Sequence, residues 1–167
     1  MKHTILYILL LTIASCTRQA PQLPANKAQG VDSMALFTQK ANELLVESED
    51  SIVALYVRSK GLDMTQSESG LWYKINSKNS GEKPRELETC KVWYSVSLLT
   101  DSVVLEQTET IVIGKKQIIN GIEEVLMLLN KGDEAHMVIP WYLAYGMKGC
   151  GDEVPAYTSI KVHLKRL

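Results

Sequence analysis

The spacing of apolar positions changes along the chain, and each change marks a boundary. Ile5 to Ile13 is a nearly unbroken apolar run behind Lys2 and His3. From Val31 to about Lys60, Phe37, Ala41, Leu44, Leu45, Ile52, Leu55 and Tyr56 recur at three- and four-residue spacings, the mark of one helix face. Glu47-Ser48-Glu49-Asp50-Ser51 interrupts the stripe, and Ser48 followed by acids suits a helix N-terminus. The pattern predicts two short helices, 32–46 and 49–60, ending at Gly61.

From Gly70 onward the period falls to two. Leu71–Ile75 reads as a strand and Ser77–Gly81 as a turn. Cys90, Val92, Tyr94, Val96 and Leu98 alternate with Lys91, Trp93, Ser95 and Ser97, which gives one apolar face. Two short strands, Val103–Glu106 and Thr110–Ile113, follow the break at Asp101-Ser102. A helix then begins at Asn120, predicted as its cap with Glu123 three residues on. Ile118, Ile122, Val125 and Leu129 share one face of it, and Lys131 and Gly132 close it. Ala135–Ile139 and Ile160–Leu164 are further strands. One amphipathic helix against an antiparallel sheet of four to six strands makes a small α+β domain, preceded by a short helical segment.

Composition narrows the function classes. The chain has 167 residues, 46% hydrophobic and 22% charged, with a net charge of -1. It has no Lys/Arg run of the kind that tracks phosphates, so no nucleic-acid partner is expected. Cys16, Cys90 and Cys150 form no CxxC pair and His3, His136 and His163 are scattered, so neither a metal site nor a cofactor is expected. Whether Cys90 and Cys150 pair is left open, because geometry decides it. Met147–Asp152 has a G-x-x-G-x-G spacing without a strand–turn–helix context, which makes it a loop and not a phosphate cradle.

The N-terminus reads as an address. A basic start, a short apolar core and small residues before Cys16 are the parts of a secretory signal. The apolar run is much shorter than the ~20 residues that span a bilayer. Leu11–Cys16 resembles a bacterial lipobox, which implies a signal peptide over 1–15 and lipidation of Cys16. The alternative is an ordinary cleaved signal with an incidental cysteine. Residues 16–30, with Pro21 and Pro24, read as a flexible tether. By resemblance to enteric lipoproteins, Thr17 after Cys16 implies a cell-envelope lipoprotein, expected on the periplasmic side of the outer membrane.

Over residues 70–167 the fragments Thr89-Cys90-Lys91-Val92-Trp93-Tyr94, Gly114–Glu124, Val138-Ile139-Pro140, Leu143-Ala144-Tyr145-Gly146 and Val154-Pro155 stand in one order. Together with the closing Ile160–Leu167 they resemble FKBP-type peptidyl-prolyl cis–trans isomerase domains. The helical preface over 31–62 and the Gly70-Leu71-Trp72-Tyr73 entry resemble lipoprotein members from Bacteroidetes, including those linked to gliding motility. The resemblance implies an FKBP-like sheet wrapped on its helix and a proline pocket. Tyr94 would form the floor, Leu105 and Glu106 the second strand's contribution, and Ile122 the base. Ile118 and Ile119 precede the helix, with the Ile119 N–H as donor. Tyr145 would offer its hydroxyl, and Val154 and Val162 would close the sides.

Such catalysis requires no acid, base, nucleophile or metal. Rotating an X–Pro bond meets a barrier of ~20 kcal/mol from amide resonance, and a pocket lowers it by binding the twisted amide best. Active family members carry Phe-Asp where this chain has Leu105-Glu106, Trp where it has Ile122 and Phe where it has Val162. The aromatic usual before the Gly114 strand has no counterpart near Glu109. Weaker catalysis and poor macrolide binding are expected. Two functions stand: an isomerase assisting exported proline-containing polypeptides, or a binding module of the envelope that uses the same groove. The helices over 31–60 are expected to pack on the domain, with dimerisation or a substrate-holding arm as the alternatives.

Overall fold

A computed structural model describes the backbone of residues 28–32 and all of residues 33–77 and 80–167; the expected signal peptide, Cys16 and most of the tether lie outside the described residues. The chain divides into two compact units, the first ending at Ala41 and the second spanning Asn42–Leu167. Helix α1 runs Ala28–Ser59 without a break. The expected pair of helices is therefore one. Ser48 and its acidic neighbours lie inside it, and Ser51 donates back to the Glu47 carbonyl (3.0 Å) as helical serines do. The expected stop at Gly61 is real. Gly61 takes φ +62, Gly61 N–H donates to the Arg58 carbonyl and Leu62 N–H to that of Val57, the paired bonds of a Schellman cap.

The second unit carries β1 (Thr65–Gln66), β2 (Trp72–Asn76), β3 (Thr89–Leu98), β4 (Val103–Val112), α2 (Asn120–Leu126), β5 (Glu134–Ile139) and β6 (Ile160–Arg166). The strands described form one sheet in the order β1-β2-β5-β6-β3-β4, antiparallel throughout. The two strands expected over 103–113 are a single β4, paired with β3 from Thr89 to Ser97 with a register shift between Val96 and Ser97.

Alternation decides the two faces. Val92, Tyr94 and Val96 on β3, Ile160, Val162 and Leu164 on β6, and Ala135, Met137 and Ile139 on β5 all point inward. There they meet Ile122, Val125 and Leu126 of α2 and Leu129 beyond it. A Cβ at Gly121 would sit 2.6 Å from Ile139 Cγ2, so the bare glycine is what lets α2 lie close on the sheet. The expected cap is corrected: Ile119 is the N-cap residue, no side chain caps the helix, and Glu123 Oε1 instead accepts from Gly114 N–H (2.5 Å). Arg166 closes the end of this core, nearly buried, donating to the Glu82 and Leu129 carbonyls and to Glu88 Oε1 (2.8, 3.0 and 2.9 Å).

On the other face, Val53 and Val57 of α1 pack on Val138, with Tyr56, Leu62, Met64, Trp72 and Leu99 around them. The apolar residues that carry the sequence stripe, Leu44, Leu45, Ile52 and Leu55, are exposed instead.

Candidate functional site

Where β3 and β4 curl past the start of α2, the inward face is open. A cavity of about 490 Å³ lies there, within the ~300–1,000 Å³ usual for ligand sites. Tyr94 and Leu105 reach it from β3 and β4 because they share the inward parity, and Ile118, Ile119 and Ile122 reach it from the entry and first turn of α2. Tyr145 enters from the turn after β5. These expected site residues are brought together by elements far apart in sequence.

Three others are not on that wall. Glu106 is corrected outright: it neighbours Leu105 in an extended strand, so it faces the opposite side of the sheet, where Glu106 Oε1 accepts from Trp93 Nε1 (3.3 Å). Val154 and Val162 are buried in the core cluster and do not line the cavity. The cavity is lined in addition by Gln107, Lys116 and Gln117, which the sequence pattern did not point to, by Glu109, where the family's aromatic is missing, and by Cys150 of the 147–152 loop. Reading β4 as one strand would have found Gln107 and Glu109, since both keep the parity of Leu105. Cys90 is buried and Cys150 exposed, and both are free thiols.

The polar groups form a short chain. Gln107 Nε2 donates to the Tyr94 hydroxyl and to Glu109 Oε1 (2.6 Å). Gln117 Oε1 accepts from Val112 N–H (2.6 Å), which fixes the segment before α2 against the end of β4. Burial raises the Tyr94 hydroxyl above its ordinary range; the bond from Gln107 works against that shift and the Glu109 carboxylate with it. Burial pushes Tyr145 up to about 12, with Cys150, Tyr94, Glu109 and Glu153 adding to the rise. Both hydroxyls therefore keep their protons at neutral pH. The Tyr145 hydroxyl and the Ile119 N–H have no hydrogen-bond partner among the described residues, and both residues line the cavity. An apolar base with two free donors above it can hold a polypeptide carbonyl while stripping water from the bond beside it. Among the described residues no group of three or more His, Cys, Asp or Glu is placed to hold a metal ion.

Residues 80–163 match the family described as FKBP-type peptidyl-prolyl cis-trans isomerase. The chain is similar to the outer membrane protein MIP of Legionella longbeachae, 36% identical over 138 residues, which are 78% of this chain and 57% of that protein. It is 32% identical over 105 residues to a probable FKBP-type peptidyl-prolyl cis-trans isomerase of Haemophilus influenzae, covering 61% of this chain and 44% of that one. The chain thus spans only about half the length of these two relatives. Its structure resembles that of FkpA from Escherichia coli at a TM-score of 0.61 and 19% identity, over 100% of this chain and 81% of that one. At that identity the likeness speaks for the fold. With the matched segment covering half the sequence, the chain belongs to the FKBP-type peptidyl-prolyl cis–trans isomerase family.

Proposed function

We propose that the chain catalyses cis–trans isomerisation of X–Pro bonds, with the proline seated on Ile118, Ile122 and Leu105. The observation that carries this reading is the pair of unpartnered donors, the Tyr145 hydroxyl and the Ile119 N–H, over an apolar base. Twisting the peptide bond removes its conjugation and shrinks the carbonyl dipole, so an apolar floor favours the twisted form over either planar one. The two donors hold the flanking carbonyls in place as that happens.

The further reading is an envelope enzyme, tethered through lipidated Cys16, that acts on exported proline-containing polypeptides. The lipobox-like Leu11–Cys16 supports it, as does the outer-membrane name of a relative. Val154 and Val162 act from behind the wall as packing. The exposed Leu44, Leu45, Ile52 and Leu55 of α1 support pairing of two copies through the helix, a homodimer that sedimentation of the chain would detect.

A second reading, a binding module without catalysis, is favoured by Ile122 and Glu109, where rings that would grip a proline are missing. One experiment separates the two: isomerisation of peptides varying the residue before proline. The isomerase reading expects a rate above background that Tyr145→Phe lowers roughly 2- to 10-fold, the worth of one hydrogen bond. A folded protein without acceleration leaves the binding module. Ile122→Trp is expected to raise kcat/KM by restoring ring surface; no gain would remove missing aromatics as the cause of weak catalysis.

A further inference from the structure

Glu49 and Asp50 lie in the interior of α1, away from its first turn, so no interaction with the helix N-terminus accounts for them. Asp50 reaches across to the turn that delivers Tyr145, and Glu49 reaches Ser159, which holds the N–H of Trp141 in that turn. The Tyr142 hydroxyl donates to Asp50 Oδ1, a bond spanning 92 residues, and lies 3.3 Å from the Ser69 carbonyl. Ser159 Oγ donates to Glu49 Oε1 over 110 residues and accepts the Trp141 N–H at 3.1 Å. Two consecutive residues of the turn, Trp141 and Tyr142, are thus tied to two consecutive residues of α1.

The turn itself is tightly bonded. Leu143 N–H donates to the Pro140 carbonyl (3.0 Å), and Ala144 and Gly146 N–H both donate to that of Trp141 (3.1 and 2.8 Å). Where Trp141 and Tyr142 are fixed, Tyr145 is therefore fixed too. Space has been kept for the contact. Gly70, at φ +100, lies so close that a Cβ there would run into the Tyr142 hydroxyl and stand 3.0 Å from Asp50 Oδ1. Ser69, beside it, donates to both Glu124 carboxylate oxygens (2.9 and 2.7 Å), which ties the same corner to α2 at the base of the cavity. Burial, and then the bond to Asp50, raise the Tyr142 hydroxyl well above its ordinary range, so Tyr142 keeps its proton and Asp50 is the acceptor.

We propose that Glu49 and Asp50 are positioning residues for the prolyl site: they hold the 140–146 turn from α1 and so set where the Tyr145 hydroxyl meets the substrate carbonyl. This rests on the isomerase reading above. It makes the helix preceding the domain a working part of the site. A hydroxyl displaced by even ~1 Å loses much of its effect on a transition state.

The test uses the full chain with Glu49→Ala, Asp50→Ala and the double variant, each in the wild-type and the Tyr145→Phe background, with thermal unfolding as the check on folding. In the wild-type background kcat/KM is expected to fall roughly 3- to 10-fold. In the Tyr145→Phe background the same changes are expected to cost less than about half of that factor, because the group they position is gone. Asp50→Asn keeps an acceptor oxygen and is expected to retain most of the activity. Equal losses in both backgrounds, or no loss in folded variants, would overturn the proposal. Tyr142→Phe and Ser159→Ala break the same bonds from the other side, and serve if the alanine variants do not fold. A second readout needs no activity: in protein labelled with 13Cζ-tyrosine, the Tyr145 resonance, assigned by its loss in Tyr145→Phe, is expected to move or broaden in Asp50→Ala while that of Tyr94 stays. A Tyr145 resonance that does not respond sinks the proposal even if the isomerase reading survives. An inactive wild-type protein whose Tyr145 resonance does respond sinks only the isomerase reading.

Discussion

The two faces of the sheet are built to different standards. Inward, alternate residues of β3 from Cys90 to Val96, of β5 from Ala135 to Ile139 and of β6 from Ile160 to Leu164 are buried in one cluster with α2, and the cavity opens at its rim. Outward, the buried cluster is small, Val53, Val57 and Val138, and it ends in a polar field of Ser95, Ser97, His136, Lys161 and His163. Among the described residues Trp72 Nε1, buried on that side, has no hydrogen-bond partner, an arrangement that costs about 1–3 kcal/mol. The inner face holds the fold and shapes the pocket, so its residues are constrained in volume as well as polarity. The outer face holds α1 in place, and several side chains would serve there.

That contrast can be broken by truncation. Leu164, fully buried opposite Tyr94 and Ala135, is expected to cost about 2–5 kcal/mol as Leu164→Ala, through lost burial and the cavity left behind. Val57 is almost as buried, yet Val57→Ala is expected to cost only about 1 kcal/mol. It removes fewer atoms, and alanine returns some helix propensity. Urea unfolding of both variants measures the pair. Equal losses would mean that α1 is as much a part of the folding unit as the inner core, and the contrast would fall.

What the sequence made legible divides along the same line. The alternation in Cys90–Leu98 and Ile160–Leu164 located β3 and β6 and their inner face, because a strand's own neighbours decide its parity. The break expected in α1 failed because what holds Glu49 and Asp50 in mid-helix lies 110 and 92 residues away, at Ser159 and Tyr142. No local pattern reports that. β4 was split because Gln107 and Glu109 are polar where a core strand should be apolar, and they are polar because they face the cavity and not the core. Glu106 was misplaced for the opposite reason. A motif order was followed where alternation, visible in the same residues, already placed it on the outer face.

His136 and His163, scattered in sequence, are paired directly across β5 and β6 and stack with ring centroids 4.3 Å apart, and the Trp93 ring meets His163 in a T-shaped contact with centroids 5.1 Å apart. This gives the outer face a pH dependence in the range where histidine titrates. Loss of water around the ring, and then the neighbouring His163, lower the pKa of His136; Glu134 works against the shift and Lys74 adds to it. The folded protein therefore takes up this proton later than the unfolded chain, whose histidine titrates near ~6.5. Above that value both states are neutral and the group contributes nothing. As pH falls through it, the unfolded state gains the proton first and stability is lost. The carboxylates held low, Glu88 by its bond from the Arg85 N–H and then Arg166, and Glu134 by Lys165 and then His163, lose their contribution only at lower pH, so the windows separate. Urea unfolding between about pH 7.5 and 5.5 should show stability falling with pH in the wild type and a flatter profile in His136→Gln, an effect smaller than either truncation. Leu164→Ala should lower the whole curve and keep its slope. If His136→Gln keeps the wild-type slope instead, the titrating group lies elsewhere.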